Sequence, residues 1–196
     1  MEVKEPAPKY YPKMSPQQFL EWERKQEYKH EYVNGEVLAM SGASFNHNKI
    51  ASSIIINVGY FLKGRPCDIF GSDLRISVKW NKSYFYPDAV IVCDEPEFDD
   101  EKIKDTLKNP SVIFEIFSSS TEDYDIGRKQ MYYMQIKTLK QYIILDSQKI
   151  YARVITRREE ERTWKFDEFQ NTEDKIFIEP INFETTVGEL CEGVEI

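Results

Sequence analysis

The order of short apolar runs constrains the fold of this chain more than any other feature. A long apolar pattern with helical period extends from about Ser44 to Lys63, and a second helical pattern extends from about Tyr124 to Lys137. Strand-length apolar runs lie between them, and another strand-length run, Gln141–Asp146, follows. The resulting order α-β-β-β-α-β predicts an α/β (α+β) fold in which helices pack on a central mixed sheet.

The strand-like runs share bounding turn formers and a high content of β-branched and aromatic residues. Those between the two helices are Cys67–Phe70 continuing through Leu74–Val78, Ser83–Tyr86, Ala89–Cys93 and Ser111–Phe117. Those after the central series are Tyr151–Arg157, Thr163–Phe169 and Lys175–Ile178. The later runs predict a C-terminal β-meander, with a short helical piece near Val187–Cys191 after it.

The N-terminal region carries clear local signals. Ser15 and Gln18 form a capping-box pattern around Pro16, which predicts a helix that ends near Arg24. Asn34-Gly35 between apolar residues predicts a hairpin with a type I′ turn. We expect residues 1–13 to form an extended arm and residues 14–196 to form a single domain.

Composition excludes several classes of protein. The chain has 196 residues, 14% aromatic, and neither a secretory signal nor an apolar stretch of bilayer length. Three cysteines without CxxC spacing argue against a zinc site and suit a reducing cytoplasm, so we expect a cytoplasmic protein with no membrane contact. The formal net charge of -8 argues against broad non-specific binding to nucleic acid, although 26 lysines and arginines are enough for a local basic rim.

Two carboxylates lie where the pattern calls for apolar residues. Glu115 lies inside the apolar run 112–117, and Asp88 follows Pro87 and opens the run Ala89–Cys93. A carboxylate in a buried strand is costly unless it is paired or binds a metal. Two such oxygen ligands on neighbouring strands favour Mg²⁺ or Mn²⁺ over zinc.

These residues resemble the PD-(D/E)XK nuclease superfamily and, more narrowly, the Uma-type putative restriction endonuclease family. The segments that carry the resemblance are Tyr32-Val33-Asn34-Gly35-Glu36 with a later His47, Tyr86-Pro87-Asp88, Glu115-Ile116-Phe117-Ser118, and Asp125-x-Gly127-x-Lys129 with Tyr133. The resemblance covers roughly residues 14 to 192. The superfamily's usual lysine position holds Phe117 here, and the matching lysine of the narrower family is Lys129.

The resemblance implies a restriction-endonuclease-like αβββαβ core and Mg²⁺-dependent hydrolysis of phosphodiester bonds, with DNA as the expected substrate. Asp88, Glu115 and Glu36 would hold the metal, and Lys129 would assist the attacking water. His47, Asp73 and Gln135 are candidates for supporting roles around them. Many nucleases cut two strands with two active sites, so we also expect a homodimer, which light scattering tests.

Each residue also has an ordinary structural interpretation. Asp88 alone is typical of a strand start, Lys129 of a solvated helix, Glu36 of an exposed position after a turn, and His47 of a helix cap. Two other functions therefore stay open: a non-catalytic interaction protein with a nuclease fold, and a metal-dependent hydrolase of a small phosphorylated compound.

Overall fold

The computed structural model describes residues 11–80, 82–118, 123–158, 160 and 163–194. Most of the expected N-terminal arm, residues 1–10, lies outside the described residues. The helices are α1 (Pro16–Glu23), α2 (Phe45–Leu62), a π-helix (Asp123–Lys129) continued by α3 (Gln130–Tyr133), a 3₁₀ turn (Glu179–Ile181) and α4 (Val187–Leu190). The strands are β1 (His30–Val33), β2 (Glu36–Ala39), β3 (Asp68–Gly71), β4 (Arg75–Val78), β5 (Ser83–Phe85), β6 (Ala89–Val92), β7 (Thr106–Leu107), β8 (Val112–Phe117), β9 (Gln141–Asp146), β10 (Ala152–Arg158), β11 (Thr163–Phe169), β12 (Lys175–Ile178) and β13 (Phe183–Thr186).

Local signals in the N-terminal region are confirmed. The Ser15 side chain accepts a hydrogen bond from the Gln18 backbone, and the Gln18 side chain accepts one from the Ser15 backbone. Asn34 and Gly35 both have positive φ, 51° and 94°, as a type I′ turn requires, and they join β1 to β2. Helix α1 therefore begins where neighbouring side chains satisfy backbone N–H groups, and the hairpin turns where Asn34 and Gly35 adopt positive φ.

Two larger sheets make up the body of the described chain. One has six strands in the order β11-β10-β9-β8-β6-β3, and the other has five in the order β2-β1-β5-β4-β7. In the six-stranded sheet β8 and β9 run parallel, whereas the other neighbours are antiparallel. The predicted central mixed sheet is confirmed, and the meander strands β10 and β11 extend it.

The central strands of the six-stranded sheet, β6, β8 and β9, are buried on both faces. Helix α2 packs Ile50, Ile54 and Val58 on one face, together with the alternate β8 residues such as Phe114. The other face carries Ile113 and the remaining alternate β8 residues, and it packs against the five-stranded sheet and the region of α3. A strand buried on both faces reads as a continuous apolar run, which explains the 112–117 pattern.

Several elements differ from the sequence expectation. The run 67–78 divides into β3 and β4, which belong to different sheets, because the chain turns where Leu74 N–H donates to the Gly71 carbonyl. The second helical pattern begins as a π-helix, and its α-helical part ends at Tyr133. Tyr142, on β9, donates a hydrogen bond to the carbonyl of Asp125 in the π-helix. An unpredicted strand, β13, pairs with β12 in a separate two-stranded sheet.

Cysteine pairing also departs from expectation. Cys67 and Cys93 form a disulfide across the end of the β3–β6 pair, where Asp68 faces Val92. Cys191 is a buried free thiol. The cysteine pattern therefore no longer supports the prediction of a reducing cytoplasm.

None of the helices in the described part of the chain has the length and apolar content that crossing a bilayer requires.

Candidate active site

A cleft of about 1170 Å³ opens where β6 and β8 meet the π-helix, the hairpin strand β1 and helix α2. Its polar side gathers carboxylates from distant parts of the chain. They include Glu31, Asp88, Glu115 and Asp125. Lys129 lines the same cleft.

Strand alternation sets the direction of Glu115. Ile113 and Phe117 lie two residues to either side of it and pack in the core between the sheets. Glu115 consequently points to the face that carries β1 and the π-helix. Only 3% of Glu115 is exposed, so its carboxylate depends on partners from those elements.

Lys129 supplies the central partner. Its Nζ lies 3.1 Å from Glu115 Oε1, 2.9 Å from Glu31 Oε1 and 3.3 Å from Asp125 Oδ1. Each of these four residues is at most 5% exposed. The lysine at the end of the π-helix thus joins β8, β1 and its own helix through one ammonium group.

Tyrosine hydroxyls fix two of these carboxylates. Tyr133 donates to Glu115 Oε1 at 2.7 Å, and Tyr124 donates to Glu31 Oε2 at 2.8 Å. Glu31 Oε1 has the Lys129 ammonium, 2.9 Å away, as its charged partner. The two tyrosines and Lys129 together fix both carboxylates at the cleft.

Asp88 reaches the cleft from the start of β6. Its Oδ2 accepts a hydrogen bond from the Ile116 backbone N–H at 2.7 Å, beyond the point where the paired residues of β6 and β8 end. Its Oδ1 lies 2.7 Å from His47 Nε2, on the first turn of α2. The backbone contact holds Asp88 beside the residue that follows Glu115.

Electrostatics at the cluster is dominated by burial. Burial raises the pKa of Glu115 well above its usual value; Lys129 opposes this rise, while Asp88, Asp125 and Glu31 add to it. Burial acts to lower the pKa of Lys129, but the surrounding carboxylates outweigh it and the pKa is raised. The lysine stays protonated, and the cluster carries more acidic groups than its one ammonium can balance.

The donor set suits a hard divalent cation. Mg²⁺ is usually bound through one or two carboxylates, with waters and substrate phosphates completing the shell. Among the described residues, no three His, Cys, Asp or Glu side chains are arranged together as a metal-binding group. Asp88 and Glu115, with Glu31 in the same cleft, fit an ion that takes few protein ligands and many from water and substrate.

The predicted site residues divide into two groups. Asp88, Glu115, Lys129 and His47 line one cleft. The other three, Glu36, Asp73 and Gln135, are exposed and lie outside the lining: Glu36 begins β2, Asp73 pairs with Lys29 at 2.6 Å, and Gln135 follows α3.

Sequence reasoning missed Glu31 as a site residue. We expected the hairpin to contribute Glu36, on β2, to the site. The hairpin carboxylate that lines the cleft is instead Glu31, on β1. Alternation in β1 places Glu31 on the same side as Val33, which faces the core between the sheets. That period-two relation was the available signal, and burial of the charge depends on Lys129.

Comparison with known proteins shows the family to which this chain belongs. Residues 16–187 match the family model Uma2, described as putative restriction endonuclease. The chain belongs to the Uma2 family. The resemblance seen in the sequence is thereby confirmed.

Relatives of this Uma2 chain include two uncharacterized proteins of Synechocystis sp. The protein slr1290 is 36% identical over 137 residues, which are 70% of each chain. The protein sll1609 is 33% identical over 129 residues, which are 66% of this chain and 72% of the relative.

A solved structure shares the fold. The crystal structure of a putative nuclease belonging to DUF820 from Anabaena variabilis superposes with a TM-score of 0.77 at 14% identity. The match covers 93% of this chain and 99% of that one. The predicted α+β, nuclease-like architecture is confirmed.

Proposed function

We propose that this chain is a divalent-cation-dependent nuclease that hydrolyses phosphodiester bonds, with DNA as its substrate. The observation that carries the proposal is the convergence of three carboxylates, Glu31, Glu115 and Asp125, on one buried lysine at an open cleft that Asp88 also lines. A purely structural ion pair would need one acid for one base. The excess of acid supports a site that receives a cation.

Asp88 and Glu115 are the proposed ligands of Mg²⁺ or Mn²⁺, with Glu31 as the hairpin carboxylate nearest to them. When bound, the cation would supply a water nucleophile of lowered pKa and positive charge beside the phosphate. Without such a charge, a phosphate entering this cleft would meet an acidic surface.

The surrounding residues have separate proposed roles. Lys129 keeps its proton and offers an ammonium to the charge that develops on the phosphate, because its carboxylate neighbours raise its pKa. Tyr133 and Tyr124 hold Glu115 and Glu31 in fixed orientations through their hydroxyls. His47 orients Asp88 by its 2.7 Å contact.

The experiment is a cleavage assay with Asp88→Asn. We expect the wild-type protein to cut DNA in Mg²⁺ or Mn²⁺ and not in a chelator, and Asp88→Asn to lose more than about 100-fold of that rate. The matched control is Asp94→Asn, which makes the same change at an exposed residue outside the cleft.

Two results would reject the proposal. One is an Asp88→Asn rate equal to that of Asp94→Asn. The other is no cleavage of DNA or RNA together with no cation binding by calorimetry, which would favour a non-catalytic interaction protein. Hydrolysis of free nucleotides alone would favour the small-compound hydrolase.

Homodimerisation and a cytoplasmic location stay predictions. In the described part of the chain β11 is the last strand of the six-stranded sheet, and this edge is the surface on which we would expect two copies to pair.

A further inference from the structure

The cleft has two chemically different sides. The polar side carries the carboxylate and lysine cluster. The remaining lining from helix α2 and from the segment after β2 is mostly small or apolar, and includes Met40, Ala51, Ile55 and Ile56. A substrate in this cleft therefore needs an apolar surface as well as a phosphate.

Positive charge at the cleft is already engaged. Among the described residues that line it, the only lysines or arginines are Lys29 and Lys129. Lys29 Nζ lies 2.6 Å from Asp73 Oδ1 and donates to the Ser72 carbonyl at 2.8 Å. Duplex DNA is held mainly by many lysines and arginines along its phosphates. With Lys129 assigned to the one reacting phosphate and Lys29 paired with Asp73, the described lining offers no such track of basic side chains.

Two large side chains at the cleft remain open to solvent. Tyr28, in the loop before β1, is 72% exposed, and Ile56, on α2, is 66% exposed. Exposed aromatic and apolar groups beside a phosphate-cleaving site are the surfaces on which unpaired bases stack. In a duplex each base is stacked between adjacent bases, so its faces are not available to stack on protein side chains.

From these observations we infer that the cleft binds unpaired nucleotides, so that the substrate is single-stranded nucleic acid held by base stacking on Tyr28 and the apolar side of α2. The inference rests on the proposed nuclease function and narrows its substrate class. Affinity then depends on base contacts and the cation more than on a track of phosphate contacts.

Binding of a labelled phosphorothioate DNA strand, which resists hydrolysis, tests this in Mg²⁺ by fluorescence anisotropy. We expect the single strand to bind more tightly than the same strand in a duplex. Affinity for the single strand should fall less than roughly 10-fold between about 50 and 200 mM salt, whereas proteins with many phosphate contacts lose roughly 10³- to 10⁵-fold.

Variants at exposed positions identify the stacking surface without disturbing the core. Tyr28→Ala should weaken single-strand binding by roughly 5- to 30-fold, and Tyr28→Phe should retain it. Tyr60→Ala is the matched control, because Tyr60 is 83% exposed on α2 but lies outside the cleft lining.

The outcomes separate this inference from the proposed function. Duplex binding equal to or tighter than single-strand binding, no binding of the single strand, or equal effects of Tyr28→Ala and Tyr60→Ala would overturn the inference. Tight, Tyr28-dependent binding of the strand with no cleavage of its unmodified form would leave the inference standing and reject the nuclease activity.

Discussion

Replacing Glu115 by glutamine should abolish cleavage and, at the same time, make the metal-free protein more stable at neutral pH. Glutamine keeps the shape of the side chain and a carbonyl oxygen for the Tyr133 hydroxyl and for Lys129. It removes one negative charge from a cluster that has an excess of acid. We expect a loss of more than about 100-fold in rate, since even indirect partners of a metal ligand contribute 10- to 100-fold.

The pH dependence follows from the raised pKa of Glu115. A carboxyl whose pKa is higher in the folded than in the unfolded state stabilises the fold below its unfolded pKa, and this contribution is lost as pH rises through the folded value. In the absence of metal, the melting temperature of Glu115→Gln should therefore exceed that of the wild-type protein, and the difference should grow as pH rises above the ordinary pKa range of glutamate.

Added Mn²⁺ should reverse the order of the two melting temperatures. It should raise the melting temperature of the wild-type protein, because a ligand that binds only the folded state stabilises it, and should leave Glu115→Gln nearly unchanged. Glu173→Gln, at an exposed position outside the cleft, is the control for the change of side chain. A metal-free Glu115→Gln protein less stable than wild type at pH 8, or an equal response of both to Mn²⁺, would contradict this account.

Lys129→Met should cost about 3–5 kcal/mol of unfolding free energy, because it leaves buried carboxylates without their cationic partner. Methionine fills much of the same space, so the loss measures charge more than packing. Adding Glu31→Gln to this variant should recover part of the stability, since one uncompensated acid is then removed.

Urea denaturation of the single and double variants measures both effects. Lys137→Met, at an exposed position just beyond α3, supplies the control and should stay within about 0.5 kcal/mol of wild type. A Lys129→Met protein as stable as this control, or a double variant no more stable than Lys129→Met, would show that the cluster does not depend on the lysine charge.

Features with a local physical cause could be predicted from the sequence. The capping box at Ser15, the positive-φ turn at Asn34-Gly35 and the four-residue spacing of buried residues in α2 each depend on neighbours within a few positions. The burial of Glu115 followed from its place in an apolar run. Asp88, Glu115 and Lys129 were grouped by family resemblance, and the structure brings them to one cleft.

Features set by tertiary contacts could not be predicted in this way. Glu31 is buried because Lys129 and Tyr124 reach it from a helix far along the chain. The disulfide of Cys67 and Cys93 depends on the register of β3 against β6. The period-two relation of Glu31 to Val33 indicates which way Glu31 points, but no spacing in the sequence identifies its partners or pairs the two cysteines.

We propose above all that Asp88 and Glu115 hold a divalent cation at this cleft. Anomalous diffraction from a crystal soaked in Mn²⁺ tests it most directly. We expect a manganese peak within about 2.5 Å of a carboxylate oxygen of both residues, and its loss in Glu115→Gln crystals. The absence of manganese from this pair of carboxylates, at a concentration that supports cleavage in solution, would contradict the claim.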